Sequence, residues 1–198
     1  MTALNQTLEL PQDAAGQSLA ASPCSAFPPV LDACCGSRMM WFDKRDSRAM
    51  FVDKRRETHA ADLGTESTKG RSPIVVDPDI LADFTDLPFP DNTFALVVMD
   101  PPHIEQMQET AGLLTKKYGS LVGDWRDMLR GGIAECFRVL IPNGTLIFKW
   151  NAVHIPLREI LALTPHKPLF GHQSGKKAQT HWCAFIKPNS VLNELHSD

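Results

Sequence analysis

An α/β fold on a mostly parallel sheet is what this chain predicts, and three observations carry the prediction. Short apolar runs of strand character recur along the 198 residues, separated by helical or polar stretches. One of them, Phe94–Asp100, is continuously apolar, as a strand covered on both faces must be. Asp32, Asp53, Asp83 and Asp100 stand at or just behind the ends of such runs. Open α/β sheets bind their ligands at the carboxyl ends of strands, where those aspartates fall.

The elements follow in order. Residues 1–27, rich in Ala, Ser, Gln and Pro, are expected to form a flexible arm with one short helix over Gln12–Ala21. Residues 28–198 are expected to form a single domain. Pro29–Ala33 and Ala49–Asp53 read as the first two strands, and the polar stretch 58–72 as a surface loop. Ile74–Val76 reads as a small strand and Asp79–Ala82 as the next main one. Trp125–Leu140 is the clearest helix: Trp125, Met128, Leu129, Ile133, Cys136, Phe137 and Leu140 recur at helical spacing. Gly131-Gly132 lowers its propensity and points to a kink or close packing. Ile141-Pro142-Asn143-Gly144 ends it with turn chemistry. Gly144–Trp150 is a strand, and Pro156–Leu163 a helix with proline in its first turn. Leu169–His172 and His181–Lys187 read as a final pair, with Lys176-Lys177 at the tip between them. Alternation of strands and helices implies helices on both faces of the sheet.

Composition sets the bounds. Apolar content of 43% is that of a globular protein. A net charge of −3 carries no general polyanion-binding signal, so a nucleic-acid partner requires basic residues gathered on one face. Lys54-Arg55-Arg56, Lys116-Lys117 and Lys176-Lys177 are the candidates. Five cysteines without a C-x-x-C pair suggest neither a disulfide framework nor a zinc site, and no metal is expected. Reduced thiols, no leader-like segment and no apolar run of transmembrane length point to a cytoplasmic protein with no membrane partner.

Val97-Val98-Met99-Asp100-Pro101-Pro102-His103 is the most informative run. Two successive prolines cannot continue a sheet ladder, and they hold the backbone in one shape. A carboxylate and main-chain carbonyls are thereby fixed at a strand end, where they suit a planar amino group. Upstream, Leu31-Asp32-Ala33-Cys34-Cys35-Gly36-Ser37 lies where a first strand is expected to turn into a helix, and its small residues allow close approach of a ligand. Asp53 ends the next strand, 21 positions after Asp32, and suits a ribose diol. The Asp83 carboxylate or backbone suits an adenine edge, with Phe84 covering the ring.

This ordered series resembles the class I S-adenosylmethionine-dependent methyltransferases over roughly residues 28–187. Asp-x-Cys-Cys-Gly-Ser-Arg-Met, Asp-Pro-Pro-His and Phe-Lys-Trp together are similar to a group of small phage and prophage enzymes that methylate N6 of adenine in DNA. The resemblance implies a Rossmann-like fold, a mostly parallel seven-stranded sheet with an antiparallel last strand. It implies S-adenosylmethionine as cofactor, with Asp32, Ala33, Cys34 and Gly36 against the methionine part, Asp53 on the ribose, and Asp83 and Phe84 at the adenine. Asp100 would border both cofactor and target amine. The family's usual turn has two or three glycines, and here only Gly36 is present.

By the same resemblance Asp100, Pro101, Pro102 and His103 form the catalytic motif. Asp100 and the Pro101 carbonyl would accept hydrogen bonds from the target amine and favour its developing positive charge. His103, in place of the commoner Tyr, Phe or Trp, would stack on the base. Lys116, Lys117 and Tyr118 suit a phosphate clamp beside a stacking ring. Trp150 would wall the pocket and Lys149 reach a phosphate. The expected activity is N6-adenine methylation of DNA with relaxed or short sequence specificity, since 198 residues leave no room for a separate recognition domain. Alternatives are an RNA base amine, a protein side-chain amide, for which Asn is commoner than Asp before Pro-Pro, or a binding module without catalysis. Cytosine C5 methylation needs a Cys where Asp100 stands.

Overall fold

Residues 26–60, 69–103, 121, 123–173 and 179–189 are described by the computed structural model. Among them the strands are β1 Val30–Asp32, β2 Ala49–Asp53, β3 Glu57–His59, β4 Ile74–Val76, β5 Ile80–Leu81, β6 Phe94–Met99, β7 Leu140–Asn151, β8 Phe170–Gln173 and β9 Thr180–Ile186. The helices are α1 Trp125–Val139 and α2 Leu157–Leu161. A seven-stranded sheet runs β5-β2-β1-β6-β7-β9-β8. The first five of these strands are mutually parallel, and β9 runs antiparallel to both neighbours. This is the expected Rossmann-like sheet with its antiparallel last strand. The expected helix Gln12–Ala21 and the runs Lys116-Lys117-Tyr118 and Lys176-Lys177 lie outside the described residues.

The central strand β6 is flanked by β1 and β7, and its Phe94, Val97, Val98 and Met99 are buried. One face is covered by α1, whose Leu129, Ile133, Cys136, Phe137 and Val139 point into the core. Asp124 caps this helix, its carboxylate accepting from the Arg126 and Asp127 backbone N–H groups at 2.9 and 3.4 Å. Gly132 explains the glycine pair: a Cβ there would lie 2.3 Å from the Phe84 ring. The turn residues 141–144 enter β7 as an irregularity. Phe94 pairs with Leu140 and Leu96 with Thr145, so the extra residues bulge out, with Asn143 at φ 63°.

Two expectations about connections change. The segment between β1 and β2 contains no helix. Its Asp43 and Asp46 carboxylates bind the backbone N–H groups of Arg45 and Arg48 at 2.8 and 3.0 Å, and Gly36 and Arg38 take positive φ. Such local side-chain bonds compete with a helix ladder, and turns win here. The β5–β6 connection is likewise non-helical, with Pro88 and Pro90 in its path. The stretch read as a loop from residue 58 begins instead with strand β3, which pairs antiparallel with β4 as a separate two-stranded sheet. Among the described residues no helix is long and apolar enough to cross a membrane.

Candidate functional site

Register assembles the site. β1, β2, β5 and β6 are parallel, so Asp32, Asp53, Asp83 and Asp100 all fall at one edge of the sheet, the carboxyl ends of its strands. β7 is parallel to β6 and pairs Phe148 with Met99. The next residue on each strand is Lys149 and Asp100, and these two meet.

Asp32 is fully buried. Its carboxylate accepts from the Trp41 indole N–H at 2.7 Å and from the Cys34 backbone N–H at 3.3 Å. Burial pushes its carboxyl up to about 7; the two donors oppose that, and the nearby Asp100 and Asp53 add to it. The turn behind it is pinned to both neighbouring strands. The Ala33 N–H donates to the Val98 carbonyl at 3.0 Å and the Cys35 N–H to the Val52 carbonyl at 2.8 Å. Burial holds the thiols of Cys34 and Cys35 protonated, Cys35 being pushed up to about 12, so neither is a thiolate at neutral pH.

Asp53 is the latch of the turn. Its Oδ2 accepts from the Gly36 N–H at 2.9 Å, while Oδ1 accepts from the Arg55 backbone N–H at 3.0 Å and side-chain Nε at 3.1 Å. Arg55 also reaches Glu57 at 3.1 Å. Lys54 stands 3.8 Å from Asp83, and Arg56 binds Asp77 and the Pro78 carbonyl at 3.3 and 2.7 Å. The Lys54-Arg55-Arg56 run therefore clasps the edge of the fold with its own acids, in place of the free basic patch the sequence suggested. Asp83 spends Oδ1 on its own turn, accepting from the Thr85 N–H and hydroxyl at 3.0 and 2.9 Å.

Phe84 corrects a second expectation. Its ring is 4% exposed, lies against Gly132 in the core, and is not open to cover a ligand. Trp150 corrects a third. It is fully buried, stacked on Phe148 with its indole N–H donating to the Ile155 carbonyl at 2.8 Å, so it supports the site from beneath rather than walling a pocket. Lys149 corrects a fourth: its ammonium is not free for a phosphate, because it holds Asp100 Oδ2 at 2.5 Å.

Asp100 itself is mostly buried, with its side chain 12% exposed. Burial raises its carboxyl above the usual range, and the Lys149 ammonium pulls it back down. Pro101 is buried, and Pro102 and His103 are half-buried. The His103 ring meets Trp150 edge-on at 6.3 Å between centroids, and burial lowers its basicity, against the opposing pull of Asp100. Two partners escaped the sequence reading, the Trp41 donor to Asp32 and the Arg55 clasp of Asp53. Both are within nine residues of the aspartate they serve. A turn-rich reading of 33–48 would have brought Trp41 back towards Asp32.

No known family model matches this chain, and no curated protein sequence does. Solved structures do share its fold. A protein solved in work on conversion of a disulfide bond into a thioacetal group during echinomycin biosynthesis aligns with TM-score 0.50 and 13% identity, over 84% of this chain and 79% of that one. A TehB-like SAM-dependent methyltransferase from Corynebacterium glutamicum aligns with TM-score 0.48 and 15% identity, over 80% of this chain and 79% of that one. An rRNA methylase from Streptococcus thermophilus aligns with TM-score 0.48 and 13% identity, over 82% of this chain and 89% of that one. At these identities the likeness is one of fold: the chain is similar to these proteins in the layout of its α/β sheet.

Proposed function

We propose that this chain is an S-adenosylmethionine-dependent N-methyltransferase whose target is an exocyclic amine, N6 of adenine in DNA, with relaxed or short sequence specificity. The observation that carries the reading is the Asp100 carboxylate at the end of the central strand, backed by Pro101-Pro102 and paired with Lys149 at 2.5 Å. Residues 28–198 act as the catalytic domain in this reading, with 1–27 as an arm.

The donor set fits the cofactor. The nearby Asp100 and Asp53 both push the Asp32 carboxyl up, so a positive charge placed beside it is favoured. The pinned turn from Ala33 to Gly36 brings backbone close to that charge. Asp32, Ala33, Cys34 and Gly36 would hold the methionine part, Asp53 the ribose and Asp83 the adenine, without the help of Phe84. S-adenosylmethionine, when bound, supplies a methyl group on a positively charged sulfur.

The chain's own residues supply orientation and charge. Asp100 Oδ2 is spent on Lys149, which leaves Oδ1 to accept a hydrogen bond from the target amine. The Pro101 carbonyl, which also draws on the His103 ring, would accept the other amino hydrogen on its second lone pair. These two bonds localise the nitrogen lone pair and stabilise positive charge as it forms. Lys149 opposes the burial that raises the Asp100 carboxyl and so favours its anionic form. A base within a duplex cannot reach this site, so the target must be flipped or single-stranded.

Transfer of labelled methyl from S-adenosylmethionine to DNA, RNA and protein in parallel tests the reading. Label in DNA that is lost in Asp100→Ala supports it. Label confined to RNA or to protein replaces the substrate, and absence of label from every acceptor, with cofactor still bound, favours a binding module.

A further inference from the structure

The segment between β1 and β2 carries features that the reaction centre leaves unused. Phe42 stands wholly outside the fold and Met39 is exposed beside it. A phenyl ring left in water forgoes about 2 kcal/mol of burial. This loop is well held. The Arg38 guanidinium donates to the Lys44 carbonyl at 2.6 Å and the Asp77 carbonyl at 2.8 Å, pairs with Asp79 at 3.1 Å, and lies 3.7 Å over the Phe51 ring. Lys44 Nζ donates to the Ser37 carbonyl at 3.1 Å. Trp41, the residue before Phe42, ties the loop to Asp32 at the carboxyl edge of the sheet.

Charge surrounds the ring. Asp43 follows it, its carboxylate accepting from the Arg45 backbone N–H at 2.8 Å, and then come Lys44 and Arg45, both exposed. Arg38, Arg48, Lys54, Arg55 and Arg56 nearby each pair with an acid of the fold, so the cations this surface offers are Lys44 and Arg45. A cavity of about 730 Å³ opens alongside, with Ser37, Arg38, Lys44 and Arg45 among its walls and Ser72 and Ile74 across from them. Asp77 and Asp79 also border it; Asp77 is paired with Arg56 at 3.3 Å, and Asp79 with Arg38 and the Phe51 N–H at 3.0 Å.

We propose that this loop and cavity form a docking surface for single-stranded nucleic acid, in which Phe42 stacks on a base and Lys44 and Arg45 take the flanking phosphates. The inference rests on the methyltransferase reading only for the direction of the strand, towards Asp100. A lone aromatic ring beside two cations matches the alternation of base and phosphate along a strand. A protein partner would call for a broader apolar patch.

The test uses the full chain and a fluorescein-labelled single-stranded DNA oligonucleotide, free and annealed to its complement. Anisotropy is read for wild type, Phe42→Ala, the Lys44→Glu/Arg45→Glu double variant and Arg130→Glu, a control cation on the exposed side of α1. Methyl transfer is read in the same samples. Phe42→Ala is expected to weaken single-strand binding about tenfold with an unchanged salt slope. The double variant is expected to weaken binding and to flatten the salt slope by about 0.7 per cation lost. Arg130→Glu is expected to bind like wild type. Equal affinity in all four proteins, or tighter binding of the duplex than of the strand, overturns the surface. Methyl transfer by Phe42→Ala with unchanged KM overturns it too and leaves the methyltransferase reading standing. Binding that depends on Phe42 without any methyl transfer upholds the surface and removes that reading.

Discussion

Lys149 Nζ lies 2.5 Å from Asp100 Oδ2, on adjacent parallel strands and one residue past the Met99–Phe148 pair. The pair bears on the protonation of the group proposed to grip the target amine. Burial raises the Asp100 carboxyl, and the ammonium opposes that rise. Lys149→Met removes the opposing charge, so Asp100 should stay protonated to higher pH. The pH profile of kcat/KM for methyl transfer should move its acidic limb upward, with activity partly regained in alkaline buffer. An unmoved limb would remove Lys149 from this role. The same change should cost roughly 2–4 kcal/mol of stability in urea unfolding, the lower end reflecting the partial exposure of the lysine.

Asp32 sets a pH dependence of stability with an unusual sign. Its carboxyl ordinarily titrates near 3.8 and in the fold near 7. The folded state thus binds the proton more tightly than the unfolded one, and the contribution of Asp32 to stability is full below about pH 4. It falls as pH rises from about 4 to about 7, then levels off. Asp32→Asn should flatten that decline, which unfolding at pH 5 and pH 8 would reveal (about pH 5 and 8 bracket the folded titration). A decline of the same size in the variant would place its origin elsewhere.

Trp41 is the strongest donor to that carboxylate, at 2.7 Å. Trp41→Phe keeps most of the ring packing against Phe51 and deletes the N–H. It should lower stability by about 1–3 kcal/mol at neutral pH and raise the apparent titration point of Asp32. Unfolding curves across pH check both; unchanged stability would mean the bond is replaced by solvent.

The two glycines of α1 should respond in opposite directions. At Gly131 a Cβ finds only Thr85 at 3.8 Å, so Gly131→Ala should gain roughly 0.5–1 kcal/mol of helix stability. At Gly132 the Cβ would lie 2.3 Å from Phe84, so Gly132→Ala should lose about 1–3 kcal/mol. Thermal unfolding of the two variants orders them, and a stabilised Gly132→Ala would contradict the packing.

The strands were legible because apolar runs bounded by polar residues survive any detail of packing. Ala49–Asp53 matches β2 residue for residue, and Phe94–Met99 differs from the expectation only in dropping Asp100. The helical spacing of Leu129, Ile133 and Phe137 is equally local information. What escaped the sequence is set by tertiary choice. Phe84 next to an aspartate reads as a ligand platform until Gly132 makes room for its ring in the core. Lys149 reads as a phosphate contact until the β6–β7 register sets it against Asp100. The non-helical stretch between β1 and β2 was visible in part, since Asp43, Asp46 and Gly36 favour turns. The repeated strand–helix pattern outweighed them.

The most direct measurement is mass spectrometry of nucleosides from DNA incubated with the protein and S-adenosylmethionine, set against Asp100→Asn at equal concentration. N6-methyladenosine in its deoxy form, accumulating with wild type and reduced by about a hundredfold or more in Asp100→Asn, is the predicted result. Methylated adenine at equal yield in the variant would contradict the assignment of Asp100, and its absence in wild type would contradict the proposed substrate.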